Sequence, residues 1–517
     1  MLFYTTDFNL YIFGRLTVGK DKDASIAKNL MLKLLSDEDI RSIDKATRDI
    51  LSTRGVLIAD DESLDYFKKA GCKVDAATKT VQIPSSVIDG ALEKAPKKFF
   101  IYGRDDGRTV VQEQGGNVNF TTYGPCIRVV KYLGYGRYQI KDSTDADLEK
   151  IVRLSDWAEN VSYLTIPVSA SDWTTKGCED MHELVTAMSN TTKHIQHAEP
   201  LTEHMDHYWD IIKAYYRGNE KLAKERPILS LMVRSITPLM YGSNAAQIII
   251  KSAKLGIPVN ILSMAMAGAS APIFMAGTLI TQNAEVLAGV ILSQLVNPGA
   301  KVWYGGLSTA FDFRYGTPSV GAPELGMMSL AANQLGRYYK LPTCTGGMLT
   351  DAKVLDSQSA HERTLNSTLS TLSGATTVFG LGSVDLGLSF SLEQLVIDDE
   401  IVNMEKKVLK GIEVSAKTMS VDAIKNMGPH ERFITHCSTV ENVTRASMAN
   451  FFDKTTLGDW QRGGGKHIED RAHEVVVEVL KTHHVEPIAK EVMFEIEKIV
   501  QKADAEVIKK REGLYGE

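Results

Sequence analysis

The stretch Ile228-Leu-Ser-Leu-Met-Val233 is followed by a helix-patterned segment over residues 241–254, and that segment runs into Ile257-Pro-Val-Asn-Ile-Leu-Ser263. Short apolar runs flanked by helical periodicity read as buried strands joined by a crossover helix, which makes the two strands parallel. The unit recurs along the chain. Further runs occupy residues 117–123, 163–168, 194–198, 301–304, 341–344 and 375–379, bringing the total to eight. Helical patterns fall between and around them near 145–159, 176–189, 203–217, 272–294, 322–339 and 356–373. Eight β/α units over roughly 250 residues is the size of a closed (β/α)8 TIM barrel. Such barrels keep their chemistry at the C-terminal ends of the strands, so the residues after each run become the site candidates.

The chain is 517 residues long, about twice one barrel. The expected division is an N-terminal extension and α+β cap over 1–110, the barrel over 111–400, and a helical extension over 401–517. In the first part, Ser36 and Asp39 have the spacing of a capping box before the helical residues Ile40, Ile43 and Ile50. A second helix over 62–70 ends at Gly71, and strands at 80–83 and 99–102 flank a helix begun by Pro84. In the last part, Met493, Ile496, Val500, Ala503 and Val507 make one apolar helix face that should pack on the barrel or on a neighbouring subunit. Segment 272–294 is apolar on most sides, which suggests a homo-oligomer contact.

Composition narrows the function classes. Hydrophobic residues at 44% and charged residues at 24% describe an ordinary globular chain, and a net charge of −6 argues against nucleic acid as a partner. Five scattered cysteines fit a reducing compartment better than a disulfide scaffold or zinc ribbon. The apolar patch from Phe8 to Phe13 has no basic region before it, so it is not read as a signal peptide. No window approaches about 18 uninterrupted apolar residues, so no membrane span is expected and a cytoplasmic enzyme is the default.

Motif tests remove most familiar chemistries. Gly463-Gly-Gly-Lys466 is followed by His467 and lacks a preceding strand, so it is not a phosphate loop. Gly380 and Gly382 follow the eighth run, but the next glycine, Gly387, comes too late for a dinucleotide fingerprint. His194 and His197 stand three apart on a strand and so face opposite sides, where they cannot readily share a metal; His197 is the one favoured to reach the pocket, with a satisfied structural histidine as the alternative. Gln282, Asn283 and Glu285 interrupt an apolar helix and read either as helix-to-barrel hydrogen bonding or as a polar pocket wall. Aromatic residues gather at the strand ends: Tyr123, Trp173, Trp303, Tyr304, Phe379, and Phe311, Phe313 and Tyr315 beside Arg314. Many of these are core packing, yet ring faces converging on one mouth could hold a quaternary ammonium group, and an arginine there would suit a carboxylate.

Several long stretches resemble the trimethylamine methyltransferase family. They are Gly256-Ile-Pro-Val-Asn-Ile-Leu-Ser-Met-Ala-Met266, Gly277-Thr-Leu-Ile-Thr-Gln-Asn-Ala-Glu-Val-Leu287, Ala300-Lys-Val-Trp-Tyr-Gly305, Thr350-Asp-Ala-Lys353, residues 358–362 and Phe390-Ser-Leu-Glu-Gln-Leu-Val-Ile-Asp398. The resemblance implies a (β/α)8 barrel. It also implies a methyl group passed from a small amine to Co(I) of a corrinoid (cobalamin) on a separate cognate protein, with no cofactor bound permanently. Trimethylamine-specific members carry pyrrolysine in the segment resembling Gly346-Gly-Met-Leu-Thr-Asp-Ala-Lys353, where Leu349 or an immediate neighbour stands in this chain. The resemblance is thus to the non-pyrrolysine branch, whose characterised members demethylate quaternary amines such as glycine betaine. A quaternary nitrogen has no lone pair to add to an imine, and being cationic already it can leave as a neutral tertiary amine. No catalytic side chain and no metal site is then required; the protein must orient one methyl group.

On that reading Tyr123, Tyr304, Phe311 and Phe379 form the cage, Arg314 or His197 takes the carboxylate, and Leu349 lines the pocket. Proline betaine, carnitine and γ-butyrobetaine are alternative substrates. A non-catalytic betaine-binding protein is the alternative of another class.

Overall fold

The computed structural model describes residues 26, 27, 30–445 and 451–515. The Phe8–Phe13 patch lies outside them. Eight parallel strands form the centre: β1 (Asn119–Thr122), β2 (Leu164–Thr165), β3 (Ile195–Ala198), β4 (Leu229–Arg234), β5 (Val259–Ser263), β6 (Val302–Gly306), β7 (Thr343–Gly346) and β8 (Thr377–Leu381). They hydrogen-bond in the order β1-β8-β7-β6-β5-β4-β3-β2, and a parallel bridge between Thr121 and Tyr163 brings β2 back to β1. The sheet is therefore a nearly closed barrel, and all eight expected strands are present. Registers such as Val259↔Val302 and Ile261↔Tyr304 keep neighbouring strands in step.

The longer helices in chain order are α1 (Asp37–Thr53), α2 (Asp61–Lys69), α3 (Ser85–Lys94), α4 (Asp145–Trp157), α5 (Glu179–Asn190), α6 (Met205–Tyr215), α7 (Ser243–Leu255), α8 (Met275–Val296), α9 (Pro323–Tyr338), α10 (Ser357–Leu372), α11 (Leu392–Leu409), α12 (Ile468–Thr482) and α13 (Lys490–Tyr515). Helices α4 to α11 each follow one barrel strand. Ser36 caps α1 in a complete capping box with Asp39, which satisfies two amide groups that the first turn leaves unpaired.

Two parts of the N-terminal segment complete the barrel. A hairpin (Lys98–Ile101 with Val110–Glu113) closes its N-terminal end: Phe99 meets Trp303 edge-on at 4.7 Å, and the Trp303 indole N–H donates to Gln112 Oε1 at 2.8 Å. Helices α1, α2 and α3 lie across α8. Helix α8 is long and apolar enough to cross a membrane by length and composition, yet 78% of its apolar window is buried inside this chain. The N-terminal cap covers its outer face, so the apolar composition that suggested an oligomer contact is accounted for by packing within this chain.

The C-terminal helices fold back on the barrel. Ile496, Val500 and Ala503 of α13 are buried, and α13 packs along α6. Four histidine–carboxylate contacts join this region to the barrel: His473 to Glu393 at 2.8 Å, His483 to Asp156 at 2.9 Å, His182 to Asp504 at 3.1 Å and His207 to Glu506 at 2.9 Å. The hydrogen bond to Glu393 holds the His473 imidazole above its ordinary value. A raised imidazole stabilises the fold fully below its unfolded-state pKa of about 6.5, and that contribution is lost as pH rises through the raised value. His473→Gln should therefore lower Tm most below about pH 6.5, and the gap to wild type should narrow at higher pH. A gap that stays constant in a pH series of thermal melts would show that the contact is not protonation-linked.

Candidate active site at the barrel mouth

Successive side chains on a strand alternate between the two faces of the sheet, so each barrel strand sends every second residue into the lumen. On β6, Trp303 points inward over the closed end, and Tyr304 points outward to α8. On β3, His194 and Gln196 face inward, where both reach the Ser230 hydroxyl, and Ala198 joins the lumen cluster above them. The lumen holds one buried cluster. Phe99, Ile101, Val110, Trp303 and Tyr163 fill its closed end, and Ala198, Met232, Leu262, Leu307, Leu349 and Phe379 lie towards the C-terminal end. Tyr123, Met264 and Leu386 pack on it from above and are part-exposed, forming the lip.

Within this mouth the Tyr123 and Phe379 rings stack with centroids 5.6 Å apart and planes 18° from parallel. Phe379 is 3% exposed and Leu349 only 1%, so Tyr123 is the ring that meets solvent. Burial pushes the Tyr123 phenol up, and the Arg234 guanidinium nearby opposes that rise. Arg234 ends β4 on the same face as Ser230 and Met232. Its backbone N–H donates to Glu199 Oε1 at 2.7 Å, and its Nε and Nη2 donate to Glu199 Oε2 at 3.2 and 2.8 Å. Glu199 follows Ala198 and should face outward with His197, but it adopts φ 44° and its carboxylate instead meets Arg234. A left-handed backbone at a residue with a Cβ costs about 1–2 kcal/mol. The pair is part-exposed, Arg234 at 40% and Glu199 at 26%, and such a pair returns about 1 kcal/mol or less. The turn is also held by backbone hydrogen bonds, from the Arg234 N–H to Glu199 Oε1 at 2.7 Å and from the Glu199 N–H to the Met232 carbonyl at 2.9 Å.

The lip is held from outside the barrel. The buried Glu285 carboxylate on α8 accepts from Ser235 Oγ, Thr237 Oγ1, the Leu239 N–H and Ser263 Oγ at 2.5–3.0 Å. It thereby pins the loop that follows Arg234 and the end of β5. On the opposite side Arg363 and Asp398, both without solvent exposure, pair at 2.9 Å. Arg363 also donates to the Met348 carbonyl, and Asp398 accepts from the Gly382 N–H. Glu362 Oε2 accepts from Thr350 Oγ1 at 2.6 Å and from the Asp351 N–H at 2.8 Å. Leu349 is thus fixed by anchors on both of its neighbours. Gly380, at φ 130°, comes so close to Met348 that a Cβ there would sit 2.6 Å from its backbone. Gly380 serves this close approach, while a Cβ on Gly382 would run into the Phe390 ring.

The structure brings together three of the seven expected site residues: Tyr123, Phe379 and Leu349. Four are corrected. Tyr304 faces outward, and its hydroxyl donates to Asn283 Oδ1 at 2.9 Å. His197 also faces outward, meeting Tyr208 edge-on and lying 3.6 Å from Glu183. Arg314 is exposed at a hairpin tip and paired with Asp312 at 2.8 Å. Phe311 lies on the same hairpin against Phe313, outside the lumen cluster. His194 is a satisfied structural histidine: it bonds the Tyr102 carbonyl and Ser230 hydroxyl at 2.9 Å, and burial pushes it down to about 3. Asn283 and Glu285 follow the helix-to-barrel reading. Glu199 and Arg234 were not among the expected residues. An apolar cavity of about 1160 Å³ lies between α10, α11 and residues 452–469, and none of Tyr123, Leu349 and Phe379 lines it. Among the described residues no three of His, Cys, Asp and Glu gather as a metal site.

The C-terminal mouth of the barrel thus combines a part-exposed aromatic ring, an ion pair and an aliphatic floor. Residues 19–507 match the model of the trimethylamine methyltransferase (MTTB) family, so the chain belongs to that family. It is 44% identical over 466 residues to trimethylamine methyltransferase MttB of Methanosarcina thermophila, covering 90% of this chain and 96% of that one. The corresponding protein of Desulfitobacterium hafniense is 32% identical, over 91% of this chain and 94% of that one. A glycine betaine methyltransferase of Desulfitobacterium hafniense is 28% identical, over 83% of this chain and 88% of that one. Among solved structures, the monomethylamine methyltransferase of Methanosarcina barkeri aligns with TM-score 0.46 and 13% identity, over 91% of this chain and 94% of that one.

Glu285→Ala strands four donors at the lip and should destabilise the protein by on the order of 3 kcal/mol in urea unfolding. Glu285→Gln, keeping one acceptor oxygen, should fall between. A loss below about 0.5 kcal/mol for Glu285→Ala would show that the lip is held by other contacts.

Proposed function

We propose that this protein is a cytoplasmic methyltransferase that moves a methyl group from a quaternary amine, glycine betaine first among them, to Co(I) of a corrinoid on a separate cognate protein. The observation that carries this reading is Leu349, buried beside the stacked Tyr123 and Phe379 rings in the segment where the family resemblance puts pyrrolysine. A leucine offers no electrophile to an amine lone pair. It offers an apolar wall, which suits the methyl groups of a fully alkylated nitrogen.

The side chains then have three tasks. The part-exposed Tyr123 ring attracts the permanent cation, an interaction worth about 0.5–2 kcal/mol. Leu349, Phe379 and Leu307 exclude water from the methyl groups, so the charge is felt in a medium of lower dielectric. The pinned lip fixes which methyl group points outward. The residues fit an approaching corrinoid, because Tyr123, Met264 and Leu386 are part-exposed and Ile236 and Leu388 beside them are exposed and apolar. The corrinoid would supply the nucleophile that accepts the methyl group, and the electron pair of the broken carbon–nitrogen bond would stay on the departing tertiary amine. That amine leaves neutral, so no general acid is needed.

A second reading has its own support, since relatives at 42–44% identity bear the name trimethylamine methyltransferase. One assay separates the two. The protein is incubated with Co(I) corrinoid and glycine betaine, proline betaine, carnitine, γ-butyrobetaine or trimethylamine, and the change in corrinoid absorbance is followed. Methylation should occur with a quaternary amine, yielding dimethylglycine from glycine betaine, and not with trimethylamine. Turnover of trimethylamine alone would overturn the proposal, and tight betaine binding without transfer would make the protein a binder. Tyr123→Ala should lower kcat/KM for the quaternary substrate about tenfold, equivalent to about 1.4 kcal/mol.

A further inference from the structure

We propose that the Glu199–Arg234 pair makes this mouth selective for zwitterionic amines, with Arg234 taking the substrate carboxylate and Glu199 facing its cation. The inference rests on the reading that Tyr123 and Phe379 hold a quaternary ammonium group, and it adds which side chains meet the two charges of the substrate.

Three observations carry it. Arg234 shares the inward face of β4 with Ser230 and Met232, so the strand's alternation aims it over the lumen. Its contacts to Glu199 use Nε and Nη2, while Nη1 has no partner among the described residues. An incoming carboxylate can therefore bind that edge of the guanidinium without breaking the existing pair. Glu199 reaches Arg234 through a left-handed turn of the chain, and its carboxylate binds both the Arg234 guanidinium and the Arg234 backbone N–H, so the two charges are held in a fixed relation at the mouth. Finally, Arg234 and Glu199 are the charged residues whose field reaches the Tyr123 phenol, so both charges lie close to the ring that would face the cation.

The electrostatics then discriminate by charge pattern. For a simple cation, attraction to Glu199 is offset by repulsion from Arg234. A zwitterion with its carboxylate towards Arg234 and its ammonium towards Glu199 and Tyr123 meets complementary charge at both ends. Removing the guanidinium should thus weaken zwitterions and strengthen plain cations. A merely structural role would not produce opposite signs.

The test is isothermal titration of the full-length protein with glycine betaine and with tetramethylammonium, alongside Co(I) corrinoid methylation by each. Wild type should bind glycine betaine at least tenfold more tightly than tetramethylammonium. Arg234→Gln should weaken glycine betaine by tenfold or more, seen as a raised KM with kcat little changed, and tighten tetramethylammonium a few-fold. Arg234→Lys, which keeps the charge without the planar fork, should recover part of the preference. Circular dichroism and thermal melting confirm that each variant is folded; if Arg234→Gln is not, Arg234→Lys and the wild-type comparison still decide. Equal affinity of wild type for both ligands, or an unchanged preference in Arg234→Gln, would overturn this inference while leaving a quaternary amine methyltransferase intact. Failure of both ligands to bind or react would overturn the underlying reading as well.

Discussion

The constraint on which the site depends is the two-residue alternation of a parallel barrel. Once the sheet closes, each strand residue is committed either to the lumen or to the surrounding helices. That commitment turns Trp303 into part of the closed end and Tyr304 into a helix contact. It separates His194 from His197 in the same way and aims Arg234 at the mouth. Chemistry can reach the lumen only from the residues on one face, and only at the end that the N-terminal hairpin leaves open.

A mouth built from loops would be loose without anchors, and here the anchors come from helices behind the sheet. Glu285 ties α8 to the ends of β4 and β5, and the Arg363–Asp398 pair ties α10 and α11 to the loops after β7 and β8. A fully buried ion pair contributes little net stability, because desolvation offsets much of its attraction, but breaking one partner leaves an uncompensated charge. Such a pair fixes geometry more than it adds stability. Its hydrogen bonds end at Met348 and Gly382, on either side of Leu349 and Phe379, so the rigidity is delivered where a methyl group must be oriented.

Much of the fold was legible because strand and helix periods differ and the β/α unit repeats eight times. The Ser36 capping box and the helix begun at Pro84 were legible from local chemistry. The site was only partly so. Strand-end position pointed to Tyr123 and Phe379, and the family resemblance pointed to Leu349, which the fold places beside them. The phase of β6 was not readable, because both faces of a buried parallel strand are apolar and Trp303-Tyr304 gives no alternation to read. Arg234 was missed because the apolar run ends at Val233 while the strand continues one residue further. Glu199 was missed because nothing in the sequence marks a left-handed turn at a glutamate. Arg314 misled because its partner, Asp312, is two residues away and keeps it at the hairpin tip. The motifs that carry the family resemblance prove to be the anchoring network: Ser263 with Glu285, Thr350 with Glu362, and Asp398 behind Gly382.

The central claim is that a permanently charged nitrogen sits against Tyr123 and Phe379 at this mouth, with Leu349 as its apolar wall. A crystal structure of the protein with glycine betaine tests it most directly. The account predicts the nitrogen within about 6 Å of the Tyr123 ring centroid, with a methyl group directed out of the barrel. Betaine bound elsewhere, in the cavity between α10 and α11 for example, with the space beside Leu349 left empty, would contradict it.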